Sequence, residues 1–189
     1  INFILTTCCR LDKNKLKPTI RNVVTTSDLK QKINIIKLDD YGWGTYDQAI
    51  YGGRCGYIKT PQMKGSVSIF ASGKMISMGA VSILKSKRQI HEAKFYLLKE
   101  KIIKDLRTTS KVQNIVFTLN FETKLNLKKL QIQFKNSVYK KEEFPGLIVK
   151  YGAHVGVLIF SSGKMVIAGA KSNNEIFGIC SWLMEKLIK

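Results

Sequence analysis

Ser68-Ile69-Phe70-Ala71-Ser72-Gly73-Lys74-Met75-Ile76-Ser77-Met78-Gly79-Ala80 and Leu158-Ile159-Phe160-Ser161-Ser162-Gly163-Lys164-Met165-Val166-Ile167-Ala168-Gly169-Ala170 are one pattern written twice. Eight of the thirteen positions are identical, without a gap, at an offset of 160 − 70 = 90 residues. Upstream, Arg21-Asn22-Val23-Val24-Thr25-Thr26 aligns with Gln113-Asn114-Ile115-Val116-Phe117-Thr118 at 114 − 22 = 92. Tyr46 and Tyr51-Gly52-Gly53 align with Tyr139 and Phe144-Pro145-Gly146 at 144 − 51 = 93. Three matches in one order at nearly one offset define an internal repeat. Its period is too long for a solenoid unit and fits a duplicated half-domain.

Each copy has a readable order. A β-rich stretch opens it (19–29; 112–121), and a short amphipathic segment follows (33–38; 125–134). Two or three strands come next, with Ser-Gly-Lys between apolar runs as a hairpin signal. A helix closes each copy. In the first it is expected over 85–107, with Ile90, Ala93, Leu97, Ile102 and Leu106 on one side. In the second, Ile176, Cys180, Leu183 and Leu187 recur at helical spacing. The expected class is α+β, a sheet with helices on one face and the other face left to solvent or a ligand. The boundaries read as an extension over 1–17, a first repeat over 18–109 and a second over 110–189.

The 189 residues carry 32 Lys+Arg against 13 Asp+Glu, a formal charge of +19, and 44% are hydrophobic. That composition supports a packed interior and a polyanionic partner, either nucleic acid or an anionic membrane surface. No apolar run approaches the roughly 18–20 residues needed to span a bilayer. Ile1–Leu5 is apolar but short, with no basic segment ahead of it, and does not read as a signal peptide. Cys8, Cys9, Cys55 and Cys180 form no CxxC and read as reduced thiols of an intracellular protein. His91 and His154 have no metal-ligand spacing. Gly73-Lys74 and Gly163-Lys164 lack the Ser/Thr and the spaced Gly of a phosphate loop. Asp39-Asp40 reads as a cap or turn. No catalytic set and no cofactor motif is visible, so the expectation is a non-enzyme without a cofactor or small-molecule substrate.

The strings Ile159–Ser172, Glu143–Ile148 and Gln113–Val116 resemble the signature strings of the TATA-box-binding protein family, and the similarity spans about residues 18–189. The resemblance implies a saddle, with a curved antiparallel sheet lying on the minor groove of AT-rich promoter DNA and helices on the convex face. It implies aromatic wedges at Tyr51 with Phe70 and at Phe144 with Phe160, Pro145 accompanying Phe144. An apolar ring between base pairs replaces stacking and holds a kink open. Taken alone, Phe70 and Phe160 read as core residues of apolar strands. It implies that the amides of Asn22 and Asn114 meet acceptors of A·T pairs. Asn has poor strand propensity, so its place mid-strand asks for a reason. Val24, Val116, Ile76, Val166 and Leu158 match apolar groove contacts, Ser72 and Ser162 hydroxyl contacts, and Lys74, Lys164 and Lys150 phosphate-side positions. Tyr57 reads as the first-repeat counterpart of Lys150.

Several positions depart from the family. Tyr51 replaces a Phe, and Gly52 stands where the second repeat has Pro145. Met78 and Ala168 stand where the family carries Thr, which removes two hydroxyls from the centre. The resemblance also implies docking of a B-type initiation factor and RNA polymerase. Glu142 matches an acidic contact in the loop before Phe144, and Lys140 reverses the charge at another. The helix of the first repeat is strongly basic (Lys85, Lys87, Arg88, Lys94, Lys99, Lys101, Lys104 and Arg107), which reads as a solvated face or a partner surface. The leading expectation is a general initiation factor. The alternative is a diverged relative that acts through protein contacts with weak TATA preference. The expected location is the nucleus in a eukaryote, or the cytoplasm and nucleoid in an archaeal or viral setting.

Overall fold

The computed structural model describes residues 17–105 and 107–187. The strands are β1 (Thr19–Asp28), β2 (Gly44–Tyr46), β3 (Cys55–Ile58), β4 (Ser66–Phe70), β5 (Lys74–Ala80), β6 (Ser110–Asn120), β7 (Ser137–Val138), β8 (Gly146–Tyr151), β9 (Val155–Phe160) and β10 (Lys164–Ala170). The helices are α1 (Ile83–Lys99), α2 (Leu127–Gln133) and α3 (Asn173–Leu187). The strands form an antiparallel sheet in the order β2-β3-β4-β5-β1-β6-β10-β9-β8-β7. The α+β class read from the sequence is the class found. The chain divides into two compact units: one is Ile20–Phe117 with Ala168–Ser172, and the other is built on Thr118–Ile167 and α3.

In the first unit, Val23, Thr25 and Ser27 of β1 and Met75 and Ser77 of β5 point inward, under Ile90, Ala93 and Leu97 of α1. In the second, Met165, Ile167, Val157, Ile159, Leu147 and Val149 are buried, and α3 contributes Ile176, Ile179, Cys180 and Leu183. Strands β1, β6, β9 and β10 thus follow the period of two over most of their length, with one buried and one open face, while β4 is buried at Val67, Ser68 and Ile69 in succession.

The repeat is written in the backbone bonds as well. The Leu29 N–H donates to Gly73 O at 2.9 Å, and Phe121 N–H to Gly163 O at 3.0 Å. Ile33 N–H donates to Ala71 O at 3.1 Å, and Leu125 N–H to Ser161 O at 2.8 Å. Gly73 and Gly163 turn the hairpins at φ +89° and +85°. A Cβ there would lie 2.1 Å from Gln31 O or 2.5 Å from Thr123 O, so the Gly of Ser-Gly-Lys is required twice over.

Four points refine or correct the expectations. The first amphipathic segment is a 3-10 helix over Ile35–Asp40, capped by Asn34, while the second is the α-helix α2, capped by Asn126. The helix α1 ends at Lys99 rather than continuing to 107. Lys101 takes φ +55°, its N–H donates to Leu98 O at 2.9 Å, and Ile102 N–H donates to Leu97 O at 2.9 Å. That pair of bonds is a Schellman stop. Ile102 therefore packs beyond the helix, and Leu106 lies outside the described residues, as do Cys8, Cys9 and nearly all of the extension. Third, Lys94 is not on the solvated face of α1; it is only 4% exposed. Its Nζ donates to Thr108 O at 3.3 Å and to Thr108 Oγ1, and burial lowers its pKa. Fourth, Lys101, Lys104 and Arg107 follow α1 rather than belong to it, and Arg107 bonds Asp105 at 2.6 Å.

The two buried layers differ in chemistry. Ser86 Oγ donates toward Thr25 Oγ1 at 2.7 Å and lies 3.2 Å from Ser77 Oγ, all three fully buried. The repeat offsets place Phe117, Ile167 and Ile176 at these positions in the second copy. A buried hydroxyl left without its partner costs about 1–3 kcal/mol, whereas replacing a whole hydroxyl set by apolar groups is close to neutral. Ser86→Ala is therefore expected to lower the urea-unfolding stability by about that amount. The triple change Thr25→Val, Ser77→Ala, Ser86→Ala should recover most of the loss; a further additive loss would show that the cluster is not one network.

Candidate nucleic-acid interface

The open face begins with a bulge. Thr25 pairs with Ser77 but Val23 pairs with Ala80, so β5 carries an extra residue there. Along β5 the buried positions run Met75, Ser77 and then Ala80, leaving both Met78 and Gly79 on the open side. In β10 the same sequence of burial is Met165, Ile167, Ala170, with Ala168 and Gly169 half-buried. Gly79 sits at φ +82° and Gly169 at +121°. A bulged residue lacks its ladder partner. Here Gly79 N–H donates to Asn22 Oδ1 at 2.8 Å, and Gly169 N–H donates to Asn114 Oδ1 at 2.8 Å. In the first unit Met78 O also accepts from Gln89 Nε2 at 3.3 Å.

These bonds account for an Asn in mid-strand. With Oδ1 committed, each amide presents its Nδ2 hydrogens as donors. The neighbours on the same face are apolar. Val24 on β1, Val116 on β6, Ile76 on β5, Val166 and Ala168 on β10 and Leu158 on β9 are all half-buried, and Met78 is 41% exposed. Ile76 pairs with Thr26 and with Ser68, and Leu158 pairs with Ile148, another exposed apolar side chain. Exposed apolar surface of this kind marks an interaction site rather than a solvated sheet.

At the hairpin ends Ser72, Lys74, Ser162 and Lys164 are exposed. Lys150 is exposed on β8. Strand register corrects its counterpart. Tyr57 pairs with Ser68, and Ile148 pairs with Leu158, so Tyr57 matches Ile148. The residue matching Lys150 is Lys59, which the sequence reading missed. Lys59 N–H donates to Trp43 O at 2.9 Å, as Lys150 N–H donates to Asn136 O at 2.9 Å. The constant offset was misleading because the first repeat holds two extra residues between Tyr51 and β3. Thr26 was also missed: its Oγ1 accepts from Gln113 Nε2 at 2.8 Å on the open side.

The aromatic pairs differ between the halves. The rings of Phe144 and Phe160 lie 5.9 Å apart, both half-buried, with Pro145 exposed beside them. Phe70 is half-buried on β4, but Tyr51 is 72% exposed. Neither Phe70 nor Phe160 is a core residue, contrary to what their apolar strands alone would give. Glu142 is exposed in the segment before Phe144. Lys140 bonds Glu143 at 2.9 Å, so its charge is already engaged.

This is a duplicated α+β protein, each copy of which carries an Asn donor, apolar side chains and lysines on the open side of its strands. The family model described as "Transcription factor TFIID (or TATA-binding protein, TBP)" matches residues 17–99 and 109–189. The chain belongs to this family. It is 43% identical over 162 residues to the TATA-box-binding protein of Cenarchaeum symbiosum, covering 86% of this chain and 89% of that one. It is 36% identical over 179 residues to that of Aeropyrum pernix, covering 89% and 83%. The solved Methanococcus jannaschii TBP superposes with a TM-score of 0.79 at 26% identity, over 90% of this chain and 97% of that one.

An acidic group sits beside Lys74 in the first copy. Asp28 pairs with Lys74 across β1 and β5, where the second copy has Asn120. Lys30 donates its backbone N–H at 2.9 Å and its Nζ at 3.1 Å, holding the Asp28 carboxyl below its usual range. Asp28→Asn is therefore expected to tighten binding to an AT-rich duplex about threefold at low ionic strength, with the gain fading as salt screens it. A salt-independent effect of either sign would mean that Asp28 acts through structure and not through charge.

Proposed function

We propose that this protein is a general initiation factor that lays its open sheet face on the minor groove of AT-rich promoter DNA. The observation that carries this is the anchoring of Asn22 and Asn114 through their oxygens, which turns both amides into donors among apolar neighbours. The minor groove of A·T pairs presents only acceptors, adenine N3 and thymine O2, whereas the guanine N2 amino group would oppose these amides. Val24, Val116, Ile76, Val166, Leu158 and Met78 then meet the sugars and base edges. Met78 and Ala168 supply contact surface without a hydroxyl.

Bending follows from the rings. A base step that opens loses stacking, and an aromatic side chain inserted there restores apolar contact. Phe160 with Phe144, and Phe70, project from the face at the required ends of their strands. Lys59, Lys74, Lys150 and Lys164 hold the flanking phosphates, each releasing counterions on binding.

Mobility-shift titrations with an AT-rich and a GC-rich duplex of equal length test this reading. The AT-rich duplex is expected to bind more tightly, with an affinity that falls steeply with salt. Lys59→Ala should flatten the log–log slope by about 0.9. Equal binding of both duplexes would overturn the groove assignment.

The partner side of the proposal is a B-type initiation factor, and through it RNA polymerase, docking at the segment that precedes Phe144. Glu142 is its free-standing acidic group, beside the Lys140–Glu143 pair. Glu142→Arg is expected to weaken ternary assembly while leaving binary DNA binding unchanged, since complementarity of this kind acts on partner choice and on-rate. Normal ternary assembly by that variant would place the partner elsewhere.

A further inference from the structure

The two ends of the open face are not equivalent, and the difference turns on one side chain. Cys55 pairs with Phe70 in strand register as Gly146 pairs with Phe160. In the second repeat the ring of Phe144 rests over Gly146: a Cβ there would lie 2.7 Å from Phe144 Cε1 and 3.2 Å from Phe160 Cε1. A side chain at this position would therefore push the rings from where they stand. In the first repeat that position carries a side chain, and the Cys55 thiol is buried. A ring placed on Phe70 as Phe144 is placed on Phe160 would overlap the Cys55 Cβ.

The chain ahead of Cys55 agrees. Phe144 lies two residues before Gly146, but Tyr51 lies four before Cys55, and Gly53 stands at the intervening position. Tyr51, Gly52 and Gly53 take φ of 50°, 61° and 70° in succession, looping the two extra residues off the strand. The Tyr51 ring is left largely in solvent. The phenol tip fits that place better than a base stack.

We propose that Cys55 fills the seat of the first wedge ring, so that the first repeat opens DNA with Phe70 alone whereas the second uses Phe144 and Phe160 together. This rests on the DNA-bending function proposed above. It makes Cys55 a positioning residue, and it gives a pseudo-symmetric protein a stronger and a weaker kinking end.

The test uses the full chain and an AT-rich duplex with donor and acceptor dyes at its ends, reading bend and Kd together. Tyr51→Ala should leave both within about twofold of wild type, whereas Phe144→Ala should raise Kd about tenfold or more and straighten the duplex. Cys55→Gly should vacate the seat and increase the bend, and Cys55→Ser, which keeps it filled, should match wild type. Equal losses in Tyr51→Ala and Phe144→Ala would overturn the proposal. A DNA-free arm separates it from the functional reading. Tetranitromethane should nitrate Tyr51 in the wild type and in Cys55→Ser, and spare it in Cys55→Gly. If wild type shows no preference for the AT-rich duplex, the functional reading fails while the nitration pattern still decides the seat. Should Cys55→Gly not fold, Tyr51→Ala against Phe144→Ala decides alone. Protection of Tyr51 from nitration in the wild type would refute the proposal.

Discussion

The bond from a bulged glycine amide to an asparagine oxygen is the interaction on which the open face depends. Without the extra residue, strict alternation would carry Gly79 to the helix side and Ala80 to the open side. The bulge lets Met78 and Gly79 share one face and returns Ala80 to the interior. It also leaves an amide without its ladder partner, and Asn22 supplies the acceptor. One side chain therefore repairs a backbone defect and, in the same act, has its own orientation fixed. Because Gly169 and Asn114 repeat the arrangement, both copies present amide hydrogens with the same polarity.

A sheet face of this composition is costly to leave in water. Val24, Ile76, Val116, Leu158 and Val166 are held away from the core that their strands help to build. Contiguous apolar surface on a free protein invites self-association. The formal charge of +19 counters that tendency through repulsion between copies. On the proposed function, the lysines assigned to the phosphate backbone thus have a second role in the free state. Buried Lys94 stands apart from this population: through Thr108 it ties α1 to the connection between repeats, and Thr108 Oγ1 lies 3.0 Å from Ser27 Oγ on β1.

The repeat, the α+β class and the faces of the strands were legible because the duplicated string fixes period and turn at once. The resemblance named Asn22, Val24, Asn114 and Val116 as groove contacts, and all four prove to alternate with buried Val23 and Ile115. What escaped the sequence was register. Two residues inserted after Tyr51 shift the pairing of β3, so an alignment offset carried Lys150 to Tyr57 instead of Lys59. A one-dimensional match cannot say on which side of a strand's first bond an insertion is absorbed. The end of α1 was misplaced for a related reason: apolar spacing continued past Lys99, but Lys101 turned left-handed and a Schellman stop closed the helix. The burial of Lys94 had no signal, because a single lysine on a basic helix looks like its neighbours.

The unlike interiors of the two copies have a thermal consequence. The buried side chains of Phe117, Ile167 and Ile176 each draw on the hydrophobic effect, which weakens as water cools. Hydrogen bonds among Thr25, Ser77 and Ser86 do not share that dependence. At these three matched positions, cooling therefore weakens the contacts of the second copy while the hydroxyl set of the first, itself embedded in an apolar core, holds.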